Sequence, residues 1–265
     1  MAMREQRGTA ILLIFFVGLM GFISSRIDSV VEQTLGRGVA YFLVYTAGWL
    51  VILIMNVNMI GEFIKIWKKE PAKAEVVFTG LGENFWRKLG GVCWIMLWLA
   101  IWAAVFLGPV AILSHVFDSD GMLILLFPLS GFVIAKIFAY FFTYNILADC
   151  PQVKATQALK VSMKITNGHK GEIFVFVLSF IGWLILPGIP PLILYWAGVR
   201  HEIVQVFSVF ASGLFYIVFT GPYFYTADAG LYLELRDKAL RDGKITHEEL
   251  GLPEPYAVHD PMVIH

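Results

Sequence analysis

The sequence predicts an all-α fold, a polytopic transmembrane helical bundle of about six spans with two interfacial amphipathic helices. Three observations predict it. Of 265 residues, 58% are hydrophobic and 15% charged, against about half and a quarter in a soluble domain, and the mean hydropathy is +0.72. The apolar residues gather in solid runs, not in the alternating pattern of a barrel. Lys and Arg gather in alternate connectors between those runs.

The expected spans are 9–25, 40–60, 92–113, 122–147, 173–194 and 204–227. At ~1.5 Å per residue such lengths approach the ~30 Å of hydrocarbon. The first run follows Arg4 and Arg7 and has Ser24-Ser25 at its end, as a secretory signal would. An uncleaved span, continuing as helix toward Val31, fits the charge distribution better. The second holds Asn56 and Asn58 at one end. The third contains Gly108-Pro109, and the fourth Pro128 and Lys136. The fifth closes on Pro187, Pro190 and Pro191, and the sixth runs through Gly221-Pro222.

Sixteen of the 20 Lys and Arg lie in the N-terminal residues, the 61–91 and 148–172 connectors and the C-terminal tail. The other connectors hold Arg26, Arg37 and Arg200, and Lys136 lies inside a span. This bias places both termini and the two long connectors in the cytoplasm. The stretches 75–88 and 151–167 mix an apolar face with basic residues, so they are expected to lie in the inner interface. Lys154, Lys160 and Lys164 then meet anionic lipid of the inner leaflet. Membrane lipids are the expected partners, with other membrane subunits as further candidates. Equal numbers of basic and acidic residues argue against nucleic acid. The segment 241–265 is expected to be a cytoplasmic tail, poorly ordered beyond Gly251 where prolines accumulate.

Lys136 stands out chemically. It falls mid-span, roughly 18–22 Å from either boundary at ~1.5 Å per residue, too far for a lysine stem to snorkel. A charge there is a functional candidate. A structural pairing with carbonyls or an acid is the alternative. Tyr140 and Tyr144, with Phe138, Phe141 and Phe142, flank it and could line a cavity with Tyr223, Phe224, Tyr225 and Tyr232. Packing and interfacial anchoring are the commoner roles of such rings. Asn56 and Asn58 suit interhelical hydrogen bonding. His201-Glu202 lacks the second His of a zinc helix. Asp118-Ser119-Asp120-Gly121 lacks the closing Glu of a calcium loop. Gly80, Gly82 and Lys88 follow no strand, as a phosphate loop would require. Cys93 and Cys150 suit packing. No cofactor or metal is expected, and no nucleophile stands beside a base.

From Tyr140 to Leu235 the chain resembles the DUF975 family of bacterial integral membrane proteins. Tyr144, Asp149, Ala158-Leu159-Lys160, Ser162, Asn167-Gly168, Lys170-Gly171, Phe174 and the string Leu178-Ser179-Phe180-Ile181-Gly182-Trp183 carry the resemblance, with Pro222-Tyr223 later. The stretch from Phe78 to Leu113 fits more loosely. The resemblance implies a bacterial inner-membrane location and a multi-span helical fold, and no substrate. Physically the motif reads as an elbow. Ser162 and Asn167 finish the interfacial helix, Gly168 or Gly171 turns the chain, and Lys170 meets lipid phosphate. Ser179 and Gly182 then allow close helix approach, with Trp183 as a packing ring.

The expected function is non-enzymatic: an accessory or permease-like protein handling a lipid, peptide or small solute. One alternative is a secondary transporter that uses Lys136. Another is an immunity or interaction protein that binds a second membrane component.

Overall fold

In a computed structural model of the chain, the described residues are 6–82, 84–117, 120–198 and 202–252. They form helices α1 (Arg7–Leu35), α2 (Val39–Lys68), α3 (Val76–Thr79), α4 (Phe85–Phe106), α5 (Gly108–Val116) and α6 (Leu126–Ala139). The series continues with α7 (Thr143–Asp149), α8 (Ala155–Thr166), α9 (Lys170–Ile185), α10 (Ile189–Trp196), α11 (Glu202–Phe215) and α12 (Gly221–Arg241). Short 3-10 turns occupy Asp120–Leu125, Leu186–Gly188 and Glu248–Leu250. No strand occurs among the described residues.

Five helical stretches are long and apolar enough to cross a membrane: Arg7–Thr34, Val39–Lys68, Phe85–Phe106, Leu126–Asp149 and Val206–Arg241. The last is continuous because a π turn, Tyr216–Thr220, joins α11 to α12. The expected span 173–194 is instead the 16-residue α9, a turn at Leu186–Gly188 and the eight-residue α10. Pro187 and Pro190 explain the break, since proline removes a helix hydrogen bond. α1 runs unbroken through Ser24-Ser25 and extends past the expected boundary to Leu35.

Burial divides the molecule into a packed end and an open end. On α1 the buried apolar side chains are Ala10, Leu13 and Ile14. On α2 burial begins only at Ile54 and continues to Ile66. On α4 it is confined to Lys88, Gly91, Val92 and Ile95, and on α6 to Ala139. α7, α8 and the inner face of α12 complete this core, with Phe142 and Tyr232 fully enclosed. Gly91 and Gly230 are close approaches within this core. A Cβ on Gly91 would meet Leu147 at 2.5 Å, and one on Gly230 would meet the Trp67 ring at 2.7 Å. Past these levels the helices present apolar surface, with Phe127 86% and Trp196 80% exposed.

Three expectations about the connectors are corrected. The stretch 75–88 is not one interfacial helix: α3 has four residues, Asn84 is left-handed at φ 53°, and Phe85–Lys88 open α4. The stretch 151–167 is helical as α8, but its apolar face is covered by protein. Ala158, Leu159, Val161 and Ile165 are buried where α8 packs on α4, α7 and α12. A stripe of apolar residues opposite lysines is the same whether lipid or protein fills it. The segment following α12 is no free tail up to residue 252. Ile245 and Leu250 are buried, and the Gln157 side chain donates to the Glu249 carbonyl at 3.1 Å. Of the 241–265 segment, 253–265 lies outside the described residues.

Candidate functional site

Two features at the packed end and one at the open end collect the polar and aromatic chemistry. The first is a polar cavity of about 320 Å³ between α2, α3, the start of α4 and the end of α7. Asn58, Glu62 and Lys88, all buried, line it with Asp149, Lys65, Lys68 and Glu70. The Lys88 ammonium donates to Asn58 Oδ1 at 2.6 Å and to the Gly80 carbonyl at 3.0 Å. The Asn58 amide donates to the Val77 carbonyl at 3.3 Å, fastening α3 to α2. Glu62 accepts from Lys65 Nζ at 2.7 Å and from the Lys73 backbone N–H at 2.8 Å. Asp149 ends α7 and accepts from Lys68 Nζ at 2.8 Å, Arg236 Nη1 at 2.6 Å and the Tyr232 hydroxyl at 3.2 Å. One carboxylate therefore ties α2, α7 and α12 together. Buried charges persist only when paired in this way.

The second feature is the α7 terminus and its neighbours. The Arg87 guanidinium donates to the carbonyls of Leu147, Cys150 and Val153. Leu147 lies in the last turn of α7, where a helix end leaves carbonyls without helical partners, and Cys150 and Val153 belong to the connector that follows. Cys150 is buried beside them, and that burial, with Asp149 adjacent, pushes its thiol up to about 11. A thiol so held is unreactive packing. Deeper in, Asn145 donates to Asp228 Oδ2 at 2.8 Å.

The third feature is an apolar cleft at the open end. A cavity of about 530 Å³ lies between α10 and α11, lined by Leu186, Ile189, Leu194, Phe207 and Phe215 among others. A second of about 480 Å³ shares Phe215 and adds Phe180, Trp183, Phe219, Thr220 and Tyr223.

The sequence-predicted residues distribute unevenly over these features. Lys136 lies in the last turn of α6, half-buried, with its Nζ 4.0 Å from the centre of the Trp102 ring. The Trp102 indole N–H donates to the Tyr140 hydroxyl at 2.9 Å. The chain breaks at Tyr140–Phe142 and α7 beyond is protein-enclosed, so Lys136 is not central to an unbroken helix 122–147. Tyr144 packs between the two apolar clusters of the core. The aromatic rings are distributed over separate packing contacts. Tyr225 stacks on Phe63, Tyr232 packs against Phe142, Phe138 meets Phe174, and Tyr223 enters the apolar cleft. Asn56 donates within its own helix, to Ile52 at 2.8 Å, and lines a small cavity with Tyr216 and Tyr225.

Several motif roles differ from expectation. Ser162 donates to the Ala139 carbonyl at 3.0 Å, closing the end of α6 instead of its own helix. Thr166 joins it there at 3.2 Å. Gly168 makes the elbow, at φ +88°, a left-handed conformation that glycine adopts without strain. Gly171 lies inside α9 and turns nothing, while Lys170 opens α9 and is exposed. Ser179 bonds its own helix at Phe176, and a Cβ on Gly182 would meet nothing within 4 Å, so no helix approaches there. Trp183 is 55% exposed at the cleft, and Pro222 is buried in the first turn of α12. Asp118, Ser119 and His201 lie outside the described residues.

Sequence reasoning missed Glu62, Lys68, Arg87, Lys88 and Arg236 as partners. A signal existed on α12, where Tyr225, Asp228, Tyr232 and Arg236 recur at helical spacing on one face. Among the described residues no group of three or more His, Cys, Asp or Glu is placed to hold a metal ion. No curated protein and no solved structure matches the chain. A family model, Protein of unknown function (DUF975), matches residues 2–239, so the chain belongs to the DUF975 family.

Proposed function

We propose that the chain is a multi-pass protein of the bacterial cell membrane, with both termini cytoplasmic, that handles a lipid as an accessory or permease-like component and catalyses no reaction. The apolar cleft carries this reading. Its two cavities share Phe215, are walled by apolar and aromatic side chains, and lie in helices whose other faces are also apolar. A cavity so lined favours an acyl chain over a polar solute or peptide. Orientation is supported by the basic residues at the packed end, Arg7, Lys65, Lys68, Lys170 and Arg241, which belong on the cytoplasmic side. On this reading the hydrocarbon covers the open end, and the packed end projects from it. The exposed Lys154, Lys160 and Lys164 of α8 then face inner-leaflet anions at the margin, without insertion of their helix.

The transporter reading built on Lys136 draws less support. Its ammonium rests on the Trp102 face, an arrangement that stabilises a cation without an acid. It is also within a helical turn of Ala139, close enough to the packed end for its stem to reach polar surroundings.

The test is photocrosslinking in nanodiscs with a phospholipid carrying a photoreactive group on its acyl chain. Label should concentrate on Trp183, Phe215 and Tyr223 relative to exposed residues of α1 such as Phe22 and Val30. Equal labelling of both sets would show ordinary lipid solvation and end the proposal.

A further inference from the structure

We infer that Lys136 and Tyr140, where α6 packs on α4, form a binding site for the phosphate of an anionic phospholipid of the inner leaflet. The two side chains meet at one indole. The Lys136 Nζ lies 4.0 Å from the centre of the Trp102 ring, and the Trp102 N–H donates to the Tyr140 hydroxyl at 2.9 Å. Trp102 is itself held in a ladder on α4, between Trp98 and Phe106, which steadies the platform under the ammonium. Tyr140 is only 6% exposed, so its hydroxyl sits in a built pocket wall and not on open surface.

Donors are in surplus at this place. An ammonium carries three N–H donors, and a ring face attracts its charge without taking them up. Among the described residues Lys136 has no hydrogen-bond acceptor and no acidic partner. The Tyr140 hydroxyl accepts from Trp102, and its own proton has no acceptor among those residues. None of the helices that meet here, α4, α6 and α8, contains an aspartate or a glutamate. A cation with spare donors and no carboxylate on these helices is matched by an oxyanion. The level in the molecule says where that anion comes from. Ser162 and Thr166 bond the Ala139 carbonyl at 3.0 and 3.2 Å, so the end of α8, with Lys164 exposed, lies within one turn of Lys136. Around Lys136 the same two helices expose Leu97, Ile101, Ile134 and Ile137. A phospholipid covers these with its acyl chains while its phosphate reaches the ammonium, whereas a free phosphate ion gains nothing from them. An ethanolamine headgroup brings an ammonium that finds no acid on these helices, so the site suits phosphatidylglycerol better. The inference rests on hydrocarbon covering the open end, as proposed above, and not on what occupies the apolar cleft.

The experiment is native mass spectrometry of the full chain, stripped of phospholipid, in a maltoside detergent with equimolar phosphatidylglycerol and phosphatidylethanolamine. The wild type should retain phosphatidylglycerol in preference. Lys136→Met should lower that retention about fivefold or more, because a charge-assisted hydrogen bond is lost. Tyr140→Phe removes only the O–H and should lower it about threefold. Lys154→Met removes an exposed charge at the other end of α8 and should leave retention unchanged. Millimolar inorganic phosphate, against chloride at equal ionic strength, should displace none of the lipid. Should Lys136→Met fail to fold, Tyr140→Phe decides, and retention equal to wild type then overturns the proposal. So does the absence of any preference for phosphatidylglycerol, full retention in Lys136→Met, or a loss in Lys154→Met as great as in Lys136→Met. Displacement by inorganic phosphate would assign the site to a soluble anion and overturn the lipid. Acyl-chain labelling of Trp183, Phe215 and Tyr223 reads the cleft alone, so the two readings fail separately.

Discussion

The packed end and the open end are built from the same helices but obey different rules. α2 makes the contrast within one element: from Val39 to Leu53 its described side chains are exposed or half-buried, and from Ile54 to Ile66 most are enclosed. At the packed end polar side chains bond across helices, as with Asp149 between Lys68 and Arg236. At the open end serine and threonine bond their own helices, as Ser25, Ser29, Thr34 and Thr46 do. Lipid asks only that a helix satisfy its own backbone and show apolar side chains. Protein packing asks for particular shapes and partners. The difference places the specificity of this fold in the packed end.

The largest expected effect tests that division directly. Phe142 is fully buried against Tyr232, whereas Phe127 is 86% exposed. Phe142→Ala should cost about 3–5 kcal/mol. Phe127→Ala should stay within about 0.5 kcal/mol. Thermal unfolding of both variants in detergent measures the contrast, and equal losses would dissolve the distinction between the two ends.

Next in size is the carboxylate that ties three helices. Asp149→Ala leaves the mostly buried Arg236 without its interhelical anion, at a cost of about 3 kcal/mol. Replacing both partners, Asp149→Leu with Arg236→Met, should recover part of that loss, because the buried Arg236 charge goes with its anion and the charges left, Lys68 and Asp237, are more exposed. Failure of the double variant to recover would mean the residues act independently.

These two effects also show what was legible in the sequence. The spans could be read because lipid selects on composition, and runs such as 40–60 or 92–113 carry that composition alone. The packed end was read less well, for two reasons. The stripe of α8, with Ala158, Leu159 and Ile165 on one side and lysines on the other, carries no mark of whether lipid or protein fills it. Ion-pair partners such as Lys68 and Asp149 lie 81 positions apart, beyond any periodicity. Gly168 was readable as a turn because its chemistry is local, and Ser162 was misassigned because its acceptor, Ala139, is not.

Lys136 lies near the boundary between the two ends, and its substitution should act accordingly. Lys136→Met removes a cation from the Trp102 face, worth about 0.5–2 kcal/mol. Met restores part of this through its own contact with the ring. The net change should stay below about 1 kcal/mol, with a shift in tryptophan fluorescence as the sensitive readout. Collapse of the fold would instead make Lys136 part of the packed end.

The smallest effect concerns the edge of the packed end, where the segment after α12 folds back on α8. Lys164 donates to the Glu249 carboxylate, and that hydrogen bond holds Glu249 below the usual carboxylate range. A carboxylate lowered in the folded state contributes stability that is fully present above its unfolded pKa of about 4.3. The contribution is lost as pH falls through the folded value. The pair is partly exposed, at 46% and 31%, so solvent screens it and its worth is about 0.5 kcal/mol or less. Acidification below about pH 4 should therefore loosen this segment. Amide exchange of 244–252 should rise, with Ile245 and Leu250 left to hold the segment. Glu249→Gln should show the same raised exchange already at neutral pH and no further change on acidification. A segment that loosens equally in wild type and in Glu249→Gln as pH falls would assign the sensitivity to another group.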